Sequence, residues 1–150
     1  MAYNAENQII GLIRIMKWDK KDLLPVQKIF NINPLVAVEF IKEQSAVWHI
    51  GRFAVSSFKK IPGILLFKQL SAYALAPLYE NHSDIVIAEC DSKLIRVLSA
   101  LGITFNILGR SIFYLGSETI PVFLTHSGVK DFFERHEWLL NQSNNRKLND

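Results

Sequence analysis

The chain has 150 residues, 49% hydrophobic and 21% charged, with a formal net charge of +3 and a pI near 9.0, which suits one domain and one core. Mean hydropathy is +0.14, yet Lys, Gln or Ser breaks every apolar run before the ~20 residues a membrane span needs, and Met1 to Asn7 lacks the basic and apolar regions of a signal peptide. The single cysteine, Cys90, excludes an internal disulfide and fits a reducing cytoplasm, while Lys and Arg form no stripe with interleaved aromatics, so nucleic acid is not an expected partner.

In chain order, residues 2–4 and 9–16 read as a hairpin turning at Glu6-Asn7-Gln8, with Arg14 the one charge inside its β-branched second strand. Charges from Lys17 to Lys21 mark a loop. Asp22 is placed to cap a helix reaching Phe30, and Asn33 to cap another over 34–41 with proline in its first turn. Residues 46–55 are predicted as a strand. Alternation puts Trp48, Ile50, Arg52 and Ala54 on one face and His49, Gly51, Phe53 and Val55 on the other. A helix from Gly63 is expected to stop at Pro77.

The run 84–89 has the continuous apolar character of a central strand covered on both faces. Asp91 then caps a helix over 92–101, and Gly102 ends it. Strands are expected over 103–108, 111–115 and 119–125, the last at an edge or bulge because it contains Pro121. A final helix covers about 129–140. Residues 141–150 form a polar tail expected to be disordered, leaving 1–140 as a single domain. Strands linked through helices on a mixed sheet place the chain in the α/β or α+β class.

His49 and Arg52 are costly in an apolar strand unless each finds a partner, which makes both candidate site residues. The structural alternative pairs Arg52 with a carboxylate and turns His49 to solvent. Lys59 and Lys60 lie in a basic turn just before the helix at Gly63, where amides and the helix dipole favour a phosphate. Cys90 has no His/Asn context and ends a strand that should be buried, which argues against a nucleophile. The four histidines lack metal-ligand spacing, and no phosphate-binding or dinucleotide glycine motif occurs.

Four segments in order resemble the GNAT acyltransferase fold, in its acyl-homoserine-lactone synthase and N-acyl amino acid synthase branch. They are Ile10-Gly11-Leu12-Ile13-Arg14 for that family's G-x-x-R strand, Trp48-His49-Ile50-Gly51-Arg52-Phe53-Ala54-Val55 for its W-E-x-S-R-F-A-V strand, Asp91 to Gly102 for its fourth helix, and Tyr114 to Val122 for its closing strands. The resemblance implies a largely antiparallel mixed sheet flanked by helices. It also implies acyl transfer from a phosphopantetheine thioester, on acyl carrier protein or coenzyme A, to a small-molecule amine, with no tightly bound cofactor. His49 stands where the family has a glutamate base, and imidazole as a class can take a proton near neutral pH. Arg52 and Arg14 would orient or neutralise the site. Trp48, Phe30, Phe53, Phe67 and Phe105 are candidates for the acyl slot, and Val55, Lys59, Lys60 and Gly63 for the pantetheine and its phosphate. The family's fourth-helix tyrosine has no counterpart here. Only eight residues precede Ile9, so the further N-terminal strand and helices, with the acidic residues that recognise the amine, are expected to be missing or supplied by a homodimer partner or another chain. S-adenosylmethionine is therefore not the expected acceptor. A module that binds acyl-pantetheine without turnover is the alternative function.

Overall fold

The computed structural model describes residues 2–3, 9–38, 41, 45–55 and 63–139, and at 9, 10, 52, 54, 55 and 63 the backbone alone. The described elements are β1 (Ala2–Tyr3), β2 (Ile9–Lys17), α1 (Pro25–Phe30), α2 (Pro34–Ala37), β3 (Val47–Val55), α3 (Gly63–Glu80), β4 (Ile85–Asp91), α4 (Ser92–Ala100), β5 (Asn106–Ile107), β6 (Ile112–Tyr114), β7 (Ser117–Leu124) and α5 (His126–Arg135). The strands form one open sheet in the order β1-β2-β3-β4-β7-β5, with β6 also paired to β7. All pairings are antiparallel except β3 with β4, which α3 connects as a parallel pair requires. This is the mixed sheet that the order of elements predicts, in the mostly antiparallel, helix-flanked form that the resemblance implies.

The apolar run at β4 explains the layering. Val86, Ala88 and Cys90 enter a core with Leu78 of α3, Leu98 of α4 and Phe132 of α5, whereas Ile85 and Ile87 enter a second core with Val26 of α1 and with Val38 and Val47. Ile85, Val86 and Ile87 are at most 2% exposed, so each contributes roughly 1.5–3 kcal/mol through burial. A third cluster, Ile13 with Leu66, Leu70 and Ala74, seats α3 on β2. There a Cβ on Gly11 would stand 2.7 Å from Leu70 Cδ1, so the glycine permits the close approach.

Asp91 caps α4 by accepting the Lys93 amide at 2.7 Å, and Gly102 leaves that helix with φ +101°, both as predicted. Asn33 caps α2 through the Leu35 amide at 3.1 Å, although the helix is short and residues 39–40 of the predicted span lie outside the described residues. Asp22 does not cap α1. Its amide goes to Asp19 Oδ1 and its carbonyl accepts the Trp18 indole, so the helix starts at Pro25, where proline is favoured in the first position. Pro77 lies inside α3 instead of ending it: the missing amide costs one bond in the last turn, Asn81 still donates to the Pro77 carbonyl, and the fully buried Leu78 holds that turn on the core.

Pro121 also departs from expectation, because β7 is central and not an edge. Its carbonyl accepts the Leu108 amide at 2.8 Å, so the proline nitrogen faces the same side, at the break where β5 ends at Ile107 and β6 starts at Ile112. No ladder donor is needed at that break. The predicted strand over 103–108 shrinks to Asn106–Ile107, because the Ile103 and Thr104 amides go to the Leu98 and Gly128 carbonyls outside the sheet. Residues 141–150 lie outside the described residues.

Candidate active site at the parting of two strands

β3 and β4 run in parallel register from Val47 opposite Ile85 to Ile50 opposite Ala88. Beyond that pair β3 continues along β2 and β4 along β7, and no pairing joins Gly51–Val55 to Glu89–Asp91 among the described residues. A bulge accounts for the divergence. Leu12 faces Ala54 and Arg14 faces Gly51, so Arg52 and Phe53 together oppose Ile13, and the extra residue bends the strand. It also overturns the predicted alternation. Phe53 crosses to the face of Trp48 and Ile50, where its ring meets that of Phe67 at 4.7 Å and 61°.

On the α3 and α4 side of this wedge lies a mostly apolar cavity of about 80 Å³, walled by Ile50, Phe53, Ala74, Leu75, Leu98 and Phe105 and reached at the strands by Gly51 and Glu89. Two of its lining residues carry buried polar atoms with no hydrogen-bond partner among the described residues, Ser71 Oγ and Glu89 Oε1. Cys90 lines it too. Burial, then the Glu89 and Asp91 charges, push its thiol up to about 12, which keeps it protonated and unreactive as the sequence suggests.

His49 lies on the opposite face of the sheet, level with Met16 on β2. It is 8% exposed, and its Nε2 stands 2.8 Å from Glu89 Oε2 on the neighbouring strand. If Glu89 is ionised it can only accept, and the tautomer that makes this bond is then the one with the proton on Nε2. A Cβ at Gly51 would stand 3.4 Å from the ring's Cε1 and 3.9 Å from Nδ1, so the glycine keeps that edge of the imidazole clear. Arg14, opposite Gly51, shares this face; it is exposed, and its guanidinium donates to Met16 Sδ.

Of the other candidates, Phe53 and Phe105 reach the cavity and Phe30 does not: it packs in the second core near Ile32 and Phe123, across the sheet. Trp48 is also absent from the cavity wall. Its indole donates to Asp84 Oδ2 at 3.1 Å while Asp84 Oδ1 accepts the Ala46 amide at 3.3 Å, and the two bonds anchor the start of β3 beside β4. The backbones of Arg52 and Val55 lie in the bulged end of β3, and Gly63 opens α3; Lys59 and Lys60 lie outside the described residues. The sequence reading overlooked Glu89, Gly51 and Ser71. For Glu89 a signal existed, since a carboxylate within an apolar strand obeys the logic that singled out His49. Among the described residues no three His, Cys, Asp or Glu side chains group as a metal site, and no helix is long and apolar enough to cross a membrane.

By sequence, no protein-family description and no curated protein matches the chain. Solved structures do match by shape. FeeM, an N-acyl amino acid synthase from uncultured soil microbes, superimposes with a TM-score of 0.63 at 21% identity, over 84% of this chain and 70% of that one. The chain has the GNAT-like fold of the acyl-homoserine-lactone synthases. The AHL synthase LasI matches with a TM-score of 0.58 at 16% identity, over 86% of this chain and 66% of its own. BjaI, a CoA-dependent acyl-homoserine lactone synthase whose structure contains SAM and isopentyl-CoA, matches with a TM-score of 0.61 at 14% identity, over 88% and 61%. This GNAT-like chain thus spans about two thirds of the length of the proteins it resembles.

Proposed function

We propose that the protein is an N-acyltransferase that moves an acyl group from a phosphopantetheine thioester to a small-molecule amine. The observation that carries this reading is the wedge itself, with an apolar cavity on one side and a hydrogen-bonded His49 on the other. Unpaired strand edges suit a pantetheine arm, the cavity suits an acyl chain, and the thioester carbon then falls between cavity and imidazole. In this scheme the neutral amine attacks the carbonyl carbon, the C–N bond forms and the C–S bond breaks. His49 takes the proton lost by the amine and returns it to the departing thiolate, giving an amide and a free thiol. Arg52 and Arg14 supply positive charge near the developing oxyanion, and Lys59, Lys60 and the amides at Gly63 hold the phosphate. The donor is acyl carrier protein or coenzyme A, and the isopentyl-CoA in BjaI makes acyl-CoA the first donor to try.

The test is release of free thiol from a panel of acyl-CoAs and acyl carrier proteins offered with a panel of amines. Release by the native protein should fall roughly 10²–10⁴-fold in His49→Ala, the range for loss of a general base. Equal release by the two proteins would overturn the reading. A rise in thermal stability with acyl-CoA but no release would instead identify a binding module.

A further inference from the structure

The acyl-transfer reading, on which this inference rests, leaves Glu89 unexplained. Its neighbours in β4, Ala88 and Cys90, turn into the helical-side core, so Glu89 between them points to the face of His49, which it reaches beside the strands that wall the cavity. One carboxylate oxygen, Oε2, is taken by the imidazole at 2.8 Å. The other, Oε1, is buried with no hydrogen-bond partner among the described residues. A buried carboxylate oxygen is costly to leave unsatisfied, and an acceptor of this kind asks for an N–H or O–H donor. Meanwhile Nδ1, the ring nitrogen that keeps its lone pair, sits on the edge of the imidazole beside Gly51, and Gly51 lines the same cavity as Glu89. In the tautomer with the proton on Nε2, the Nδ1 lone pair and the second carboxylate oxygen lie together on the His49 face, at the parting of the strands that wall the cavity.

We propose that Glu89 is the residue that positions His49 and also docks the acceptor: Oε2 holds the ring with Nε2 as donor and Nδ1 as base, while Oε1 receives an N–H of the incoming nitrogen, so that Glu89 is what discriminates primary from secondary amines. The count of hydrogens is what gives Glu89 this discrimination. A neutral primary amine brings two N–H bonds; on attack one proton passes to Nδ1 and later to the thiolate sulfur, and the other stays on nitrogen as the amide N–H held by Oε1. A secondary amine has one N–H to give, and after transferring it to Nδ1 would leave Oε1 unpaired in a buried site, the situation in which sites reject a substrate most strongly.

Two measurements test this. In the free protein, imidazole ¹⁵N shifts should show His49 protonated at Nε2, and Glu89→Gln, which is isosteric but can present an amide N–H to the ring, should shift the population toward the Nδ1-protonated form. An Nδ1-protonated ring in the native protein, or identical spectra for the two proteins, overturns the positioning role whether or not the protein turns over. With octanoyl-CoA as donor, methylamine and dimethylamine compare the two amine classes with little change in size. Native protein should prefer methylamine at least tenfold in kcat/KM, and Glu89→Ala should lose most of that preference beyond any general drop in rate. Equal rates with both amines in the native protein, or a preference unchanged in Glu89→Ala, overturn the docking role. If native protein releases no thiol with any donor or amine, acyl transfer itself falls and takes the docking role with it, while the tautomer still decides the positioning role.

Discussion

At the scale of single residues, the contrast between Cys90 and His49 shows how environment assigns roles. Both belong to the strands at the wedge, but Cys90 is enclosed by apolar neighbours and two carboxylates, while His49 is given a hydrogen-bond partner. A thiol pushed up to about 12 from 9.0 keeps its proton in the folded state over a range in which the unfolded chain has lost it. The folded state therefore binds more protons between those two values, and stability must fall as pH rises through that window, with a slope of at most about 1.4 kcal/mol per pH unit. Denaturant melts from pH 9 upward should show this decline, and Cys90→Ala should flatten it; parallel slopes would refute the assignment. For the same reason iodoacetamide at pH 8 should label the unfolded chain and spare the folded one. That the cysteine is inert was legible in the sequence from its place at the end of an apolar strand. That Glu89 beside it reaches His49 was not, because forty positions separate the pair and only the register of β3 on β4 brings them together.

Among the elements, helix ends were the most legible because their chemistry is local. Asp91 at the start of α4 and Gly102 at its end act through neighbours within a few positions. At Gly102 the demand is twofold: φ is +101°, and a Cβ would stand 2.9 Å from Asp131 Oδ2 and 3.2 Å from the Phe132 amide. Gly102→Ala should therefore cost about 1–3 kcal/mol and lower the melting temperature by roughly 2–4 °C for each kcal/mol, as thermal unfolding would reveal. A variant that melts with the native protein would show that α5 yields to make room. Prolines were less legible. Pro77 and Pro121 both disobey the usual rules, and in each case the exemption comes from tertiary surroundings: a buried final turn for one, a break between β5 and β6 for the other. The bulge at Arg52 and Phe53 is the same lesson in a strand, since one extra residue moved Phe53 to the other face and opened the wedge.

For the molecule as a whole, the sheet is a divider. Its helical face encloses the cavity, its other face carries His49, and the parting of β3 and β4 connects them. Narrowing the cavity should separate the two sides. Ala74 is fully buried on α3 and lines the cavity, so Ala74→Leu adds bulk where an acyl chain would lie, at an overpacking cost of about 1–3 kcal/mol. Native protein at saturating octanoyl-CoA should be stabilised by about 2–3 kcal/mol, as expected near 100 Kd, and Ala74→Leu should lose most of that increment while keeping the smaller one given by coenzyme A itself. Equal stabilisation of both proteins by octanoyl-CoA would place the acyl chain elsewhere.

The sequence by itself determined the central buried strand, the capped helix that follows it, the mixed sheet, and the suspicion attached to His49, because each depends on periodicity, on short-range hydrogen bonding or on the cost of polarity among apolar neighbours. Tertiary structure alone decided which residues meet. Strand register sent Trp48 to Asp84 and His49 to Glu89, the bulge turned Phe53 toward Phe67, and the layering left Phe30 on the far side of the sheet from the cavity. Such pairings turn on single-residue offsets between segments far apart in the chain, and a local pattern carries no information about an offset.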